Sequence, residues 1–151
     1  MDYSLLAKQL QSFLEEEPFY VPALSNASAL LKEAMEQINW VGFYLMRDGE
    51  LVLGPFQGKV ACIHISVGKG VCGTAVEQDQ TLVVPDVHAF PGHIACDCAS
   101  NSEIVIPIHK GGEIVGVLDI DSPVKNRFST EEKEGLEQLV EVIERYVEFS
   151  N

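Results

Sequence analysis

Glu103-Ile104-Val105-Ile106-Pro107-Ile108-His109, then Lys110-Gly111-Gly112, then Glu113-Ile114-Val115-Gly116-Val117-Leu118-Asp119-Ile120-Asp121 is the stretch that decides the fold. Two runs rich in β-branched residues, joined by a glycine turn, predict an antiparallel hairpin. A second hairpin lies upstream. Trp40-Val41-Gly42-Phe43-Tyr44-Leu45-Met46 is aromatic and β-branched, Arg47-Asp48-Gly49-Glu50 supplies its turn, and Leu51-Val52-Leu53-Gly54-Pro55-Phe56 returns. Between the hairpins, a strand is expected from Ala61 to Ile65, a short helix from Val71 to Glu77, and a brief strand from Thr81 to Val84. Helical spacing governs both ends of the chain. Leu5, Leu6, Leu10, Phe13 and Leu14 form one stripe, closed by Glu15-Glu16-Glu17-Pro18. A second helix is expected from Val21 to Gln37, with Leu24, Ala27, Leu30, Leu31 and Ala34 inward. Ser129-Thr130-Glu131-Glu132 has the form of a capping box, and Leu136, Leu139, Val140, Ile143 and Val147 stripe the last helix. The prediction is an α+β fold: about six antiparallel strands, terminal helices on one face, and a long loop over residues 85–101. A single domain spanning 1–151 is expected.

Composition agrees with that architecture. A chain of 151 residues, 46% hydrophobic and 22% charged, can bury a core and is neither a disordered tail nor a fibre. No run reaches the roughly 20 apolar residues of a membrane span, and Met1-Asp2-Tyr3-Ser4 lacks the basic start of a signal peptide. A net charge of −13 argues against nucleic-acid phosphate or anionic lipid as partner. Four cysteines without a secretion signal point to a reducing, cytoplasmic setting, where thiols are catalytic, metal-binding or simply buried.

The chemistry-bearing residues cluster in three places. Residues 85–101 carry His88, His93, Cys96 and Cys98, and loops this long inside a domain are usually functional. Those four side chains suffice in number for zinc, but Cys-x-Cys is not the spacing of a structural zinc site. Asp119 and Asp121 flank Ile120 on one strand, so both carboxylates share a face, and Glu103 opens the partner strand. Three gathered carboxylates repel, raise the pKa of one of them, and attract an ammonium group. The plainer alternative is a strand exit at Asp121-Ser122-Pro123. Trp40 and Tyr44, four apart on a strand, share a face and form either core or a cage for a small apolar or sulfur-bearing group. Gly68-Lys69-Gly70-Val71-Cys72-Gly73-Thr74 lacks the phosphate-loop pattern. It places Cys72 at a helix start, where the dipole is expected to lower a thiol pKa. Cys62, in Val60-Ala61-Cys62-Ile63, has the surroundings of a buried filler.

Several segments, in order, resemble the free methionine-(R)-sulfoxide reductases, a family of single GAF domains. They are Asn39-Trp40-Val41-Gly42-Phe43-Tyr44, Gly54-Pro55-Phe56-Gln57-Gly58, Gly70-Val71-Cys72-Gly73-Thr74-Ala75, Val84-Pro85-Asp86-Val87-His88, Phe90-Pro91-Gly92-His93-Ile94-Ala95-Cys96-Asp97, Ser102-Glu103-Ile104-Val105 and Gly116-Val117-Leu118-Asp119-Ile120-Asp121-Ser122-Pro123. The resemblance implies that Cys96 is the nucleophile and that Cys62 or Cys72 resolves its sulfenic acid. It also implies that Glu103, Asp119 and Asp121 are pocket carboxylates and that Trp40 and Tyr44 wall the substrate methyl. Cys98 departs from the pattern, standing where the family is expected to carry serine. Free methionine sulfoxide as substrate, thioredoxin as reductant and the absence of any metal or organic cofactor follow from the same resemblance. By analogy with other GAF domains, the terminal helices are expected to offer a homodimer face. A GAF module that senses a small molecule without turnover is the alternative; it would expect a fused output domain, which a chain ending at Asn151 leaves no room for.

Overall fold

Alternation along the central strands sends Val41, Phe43, Ile104, Ile106, Leu118 and Ile120 to one face of a sheet and Trp40, Tyr44, Glu103, Val105, Asp119 and Asp121 to the other. A computed structural model describes residues 1–92 and 100–150. The elements run α1 (Tyr3–Glu16), α2 (Tyr20–Ala34), β1 (Trp40–Arg47), β2 (Glu50–Gln57), β3 (His64–Ser66), α3 (Gly70–Gln78), β4 (Leu82–Val84), β5 (Ser102–Lys110), β6 (Glu113–Ser122) and α4 (Thr130–Tyr146). Six strands form one sheet in the order β3-β2-β1-β6-β5-β4, every pairing antiparallel. Pro107 fits within β5 because β4 reaches only to the Leu82–Val105 pair, so the strand is an edge at the proline.

The first face is apolar and takes α1, α2 and α4. Leu10, Leu14, Leu24, Leu31, Leu136, Leu139 and Ile143 seal it, each burial contributing on the order of 1.5–3 kcal/mol. Side chains cap two helix starts, and the expected capping box of the last helix is one of them. Asp2 accepts from the Leu5 amide at 3.0 Å, and the Ser129–Glu132 capping box is complete. Gly135 lets α1 approach α4, since a Cβ there would lie 2.3 Å from Tyr3 Cγ. Tyr3, Glu132 and Arg127 form a further clasp: the tyrosine hydroxyl donates to Glu132 Oε2 at 3.2 Å, and Arg127 pairs with the same carboxylate. Arg127 also donates to the Glu36 carbonyl through Nε and Nη2, at 3.0 and 2.9 Å.

Two expected boundaries move. Helix α2 ends at Ala34 rather than Gln37, because the next carbonyls serve tertiary donors: Glu36 accepts from Arg127, and Gln37 accepts from Ser122 Oγ at 2.6 Å. Strand β3 begins at His64 rather than Ala61, because the preceding segment folds over the second face of the sheet. That second face is covered by α3 rather than by the terminal helices. Among the described residues, no helix is long and apolar enough to cross a membrane.

Candidate active site

Strand register assembles the second face. Trp40 of β1 stands opposite Asp121 of β6, and Asp121 opposite Glu103 of β5; one step along, Gly42 stands opposite Asp119. Glu103 is thereby brought from the neighbouring strand onto the face where Asp119 and Asp121 already stand. Trp40 stacks on Tyr44 with centroids 5.9 Å apart and on Phe56 at 5.2 Å. Phe56 was not singled out by sequence reasoning; the β1–β2 register, which sets it opposite Gly42, was the signal for its place. The aromatic polar groups hold the segment above the sheet. Trp40 Nε1 donates to the Lys59 carbonyl and Tyr44 Oη to the Cys62 carbonyl, both at 3.0 Å. Gly58 makes this close approach possible: its φ is +144° and a Cβ would fall 2.5 Å from Trp40 Cδ1.

These walls enclose a cavity of about 50 Å³. Glu103, Asp119 and Asp121 line it with Cys72, Trp40, Tyr44 and the Val60-Ala61 backbone segment. Lys69, from the glycine segment that lacks the phosphate-loop pattern, and Ser100, from the end of the 85–101 loop, also line it; only the fold brings them there. Ser100 Oγ accepts from Asn39 Nδ2 at 3.2 Å.

Electrostatics follow from burial. Glu103 is 8% and Asp119 5% exposed. Burial, then the charges of Asp119 and Asp121, push the Glu103 carboxyl well above the usual carboxylate range. Burial also raises Asp119, opposed by hydrogen bonding with Glu103, Asp121 and Cys72. The cluster therefore holds a proton in common, with Glu103 its principal carrier. Asp119 Oδ1 has no hydrogen-bond partner among the described residues. Tyr44 is pushed up by burial and by the same carboxylates, which keeps its hydroxyl a donor.

The cysteines divide. Cys72 lies in the first turn of α3 as a free thiol, only 4% exposed. Its pKa is raised, contrary to the expected helix-dipole effect: burial and the Asp119, Glu103 and Asp121 charges outweigh the dipole. Cys62 is half-buried and disulfide-bonded, not a filler in the core. Cys96 and Cys98, with His93, lie outside the described residues. His88, one of the four side chains weighed for zinc, lies exposed with Nδ1 3.1 Å from Asp86 Oδ1.

A buried carboxyl cluster beside an aromatic wall can hold an ammonium group, and can pass a proton to an oxygen placed against it. Comparison with known proteins places the chain among relatives. The GAF domain model matches residues 23–147. The free methionine-R-sulfoxide reductase of Escherichia coli is 53% identical over 143 residues, covering 95% of this chain and 87% of that protein. The free methionine-R-sulfoxide reductase of Neisseria meningitidis, solved with its substrate, superposes with a TM-score of 0.93 at 43% identity, covering 98% of this chain and 90% of that one. The fRMsr of Staphylococcus aureus, also solved with substrate, gives 0.93 at 56% identity, covering 97% and 96%.

Proposed function

The chain is a GAF-domain protein of the free methionine-R-sulfoxide reductase family, and from that premise we propose that it reduces free L-methionine-(R)-sulfoxide to methionine by thiol chemistry. The observation that carries this reading is the set of three buried carboxylates facing a stacked aromatic wall in one small cavity. Asp119 and Asp121 hold the substrate ammonium, a group that the free amino acid has and an internal peptide residue lacks. Trp40 and Tyr44 face the methyl group. Glu103, whose carboxyl burial and the neighbouring aspartates hold well above the usual carboxylate range, donates the proton of the cluster to the sulfoxide oxygen, which makes the sulfur electrophilic.

Cys96 then attacks the substrate sulfur. The S–O bond of the substrate is lost, methionine leaves, and Cys96 becomes the sulfenic acid. Cys62 condenses with it, releasing water and forming a disulfide. An external dithiol, thioredoxin, reduces that bond and returns both thiols. Cys62 is favoured over Cys72 as the resolving thiol because Cys62 is disulfide-bonded, whereas Cys72 is buried, free and held protonated. The reaction needs no metal or organic cofactor. We place it in the cytoplasm, carried out by a single domain over 1–151, with a second copy docking on the terminal helices. Partners such as nucleic acid or a membrane surface are not part of this reading, given the −13 net charge.

The test follows NADPH loss with thioredoxin and its reductase. Free R-sulfoxide, free S-sulfoxide and a blocked peptide-like sulfoxide are offered separately. Turnover of the free R form alone is expected, and it is abolished in Cys96→Ser. Turnover in that variant would remove Cys96 as nucleophile, and equal turnover of the blocked substrate would remove the ammonium contact.

A further inference from the structure

Cys72 has no part in the reaction above, yet it sits against the two most buried carboxyls of the cavity. Its Sγ and one carboxylate oxygen each from Glu103 and Asp119 all lie within 4.8 Å of one another, and all three residues are buried. The three donors come from α3, β5 and β6, and β5 and β6 are paired in the sheet, so their spacing does not depend on a loose loop. Asp119 Oδ1 has no hydrogen-bond partner among the described residues, and this side chain lines the cavity. A cavity of about 50 Å³ has room for one ion and a water.

We propose that the reduced pocket binds one borderline divalent cation, Zn²⁺, through Cys72 Sγ and the carboxylates of Glu103 and Asp119, with water as fourth ligand, and that the ion excludes the substrate. The donor set selects the metal class. One thiolate with two carboxylates suits tetrahedral zinc, which takes three protein ligands and keeps an open position. Magnesium and calcium want about six or more oxygen donors. Binding releases the Cys72 thiol proton and the carboxyl proton shared by Glu103 and Asp119 to solvent and changes no oxidation state. The ion takes the place that would receive an ammonium, so zinc acts as a competitive inhibitor. Only that inhibitory consequence rests on the proposed reductase function; metal binding does not.

Co²⁺ is the probe, because its sulfur-to-cobalt charge-transfer band reports a thiolate ligand without any turnover. The titration is done on the reduced chain, on a variant carrying Cys62→Ser, Cys96→Ser and Cys98→Ser, and on Cys72→Ser alone. One equivalent of Co²⁺ should bind with a charge-transfer band in the first two, and Zn²⁺ should displace it. The band should vanish in Cys72→Ser, and affinity should fall at least about tenfold in Glu103→Gln. Added free methionine-(R)-sulfoxide should raise the apparent dissociation constant in proportion to its concentration. A reduced chain without the band, or a band that survives in Cys72→Ser, overturns the site. Should the triple variant fail to fold, the difference between the reduced chain and Cys72→Ser decides. A band untouched by the sulfoxide overturns the claim that ion and substrate share one space. A chain that binds Co²⁺ as expected but turns over no sulfoxide keeps the metal site while refuting the reductase function.

Discussion

Glu103 answers to two opposing demands. Its buried place between Asp119 and Asp121 raises its pKa, which suits a proton donor and disfavours a carboxylate. Glu103→Gln keeps the size and removes the transferable proton. Its kcat/KM should fall on the order of 10²–10⁴-fold in the coupled NADPH assay. In the parent chain, kcat/KM should decline as pH rises through the raised pKa of the cluster, and that limb should be absent from the residual activity of Glu103→Gln. An unchanged alkaline limb in the variant would move the proton to another group.

At the scale of elements, the pocket depends on a segment stretched over the sheet edge. Residues 58–62 leave the ladder, which resumes where the Ile63 carbonyl accepts from the Leu53 amide at 2.8 Å, and the Lys59 and Cys62 carbonyls accept from Trp40 and Tyr44 instead. Gly58→Ala forces a Cβ into Trp40 at a φ that alanine disfavours. The urea midpoint should drop by the equivalent of about 1–3 kcal/mol. Trp40 is the sole tryptophan, so the emission spectrum should shift as its ring is displaced. Helix α4 makes a second case. Ser129 Oγ accepts from the Glu132 amide at 3.1 Å, and the Glu132 side chain returns to the Ser129 amide at 3.2 Å. Ser129→Ala should cost about 1 kcal/mol in chemical denaturation and leave KM for the sulfoxide unmoved, because the cap lies on the helix side of the sheet.

For the whole molecule, pH acts on stability from two directions. Burial works against ionised Glu132, but hydrogen bonding with Arg127 and the Ser129 amide prevails and holds its pKa below the usual range. A group lowered on folding stabilises above its unfolded pKa, and the contribution is lost as pH falls through the folded value. Glu103 has the opposite sign. Folding raises its pKa, so the native state binds the proton more tightly than the unfolded chain, and stability falls as pH climbs above about 4.5 toward the folded value. Thermal melts should therefore show Glu103→Gln more stable than the parent at pH 7, by at least about 2 °C. The difference should shrink toward nothing near pH 4. A variant equally stable at both pH values would refute the buried, shared proton.

Sequence by itself determined the hairpins, the cap of the last helix and the faces of the strands, because these are local. Alternation at Asp119-Ile120-Asp121 obliges the two aspartates to share a face, and the Ser129–Glu132 cap needs only four consecutive residues. Resemblance of motifs then pointed to the family, which the GAF match and the identity to named reductases bear out. Register and burial were decided only by the tertiary structure. Spacing cannot say that Glu103 stands opposite Asp121, that Phe56 stacks on Trp40, or that Ser100 and Lys69 reach the same cavity. The thiol of Cys72 is the plainest instance. Its place in the first turn of a helix is legible locally and argues for a lowered pKa. Its burial against three carboxylates is a long-range fact, and desolvation with like charge outweighs a helix dipole.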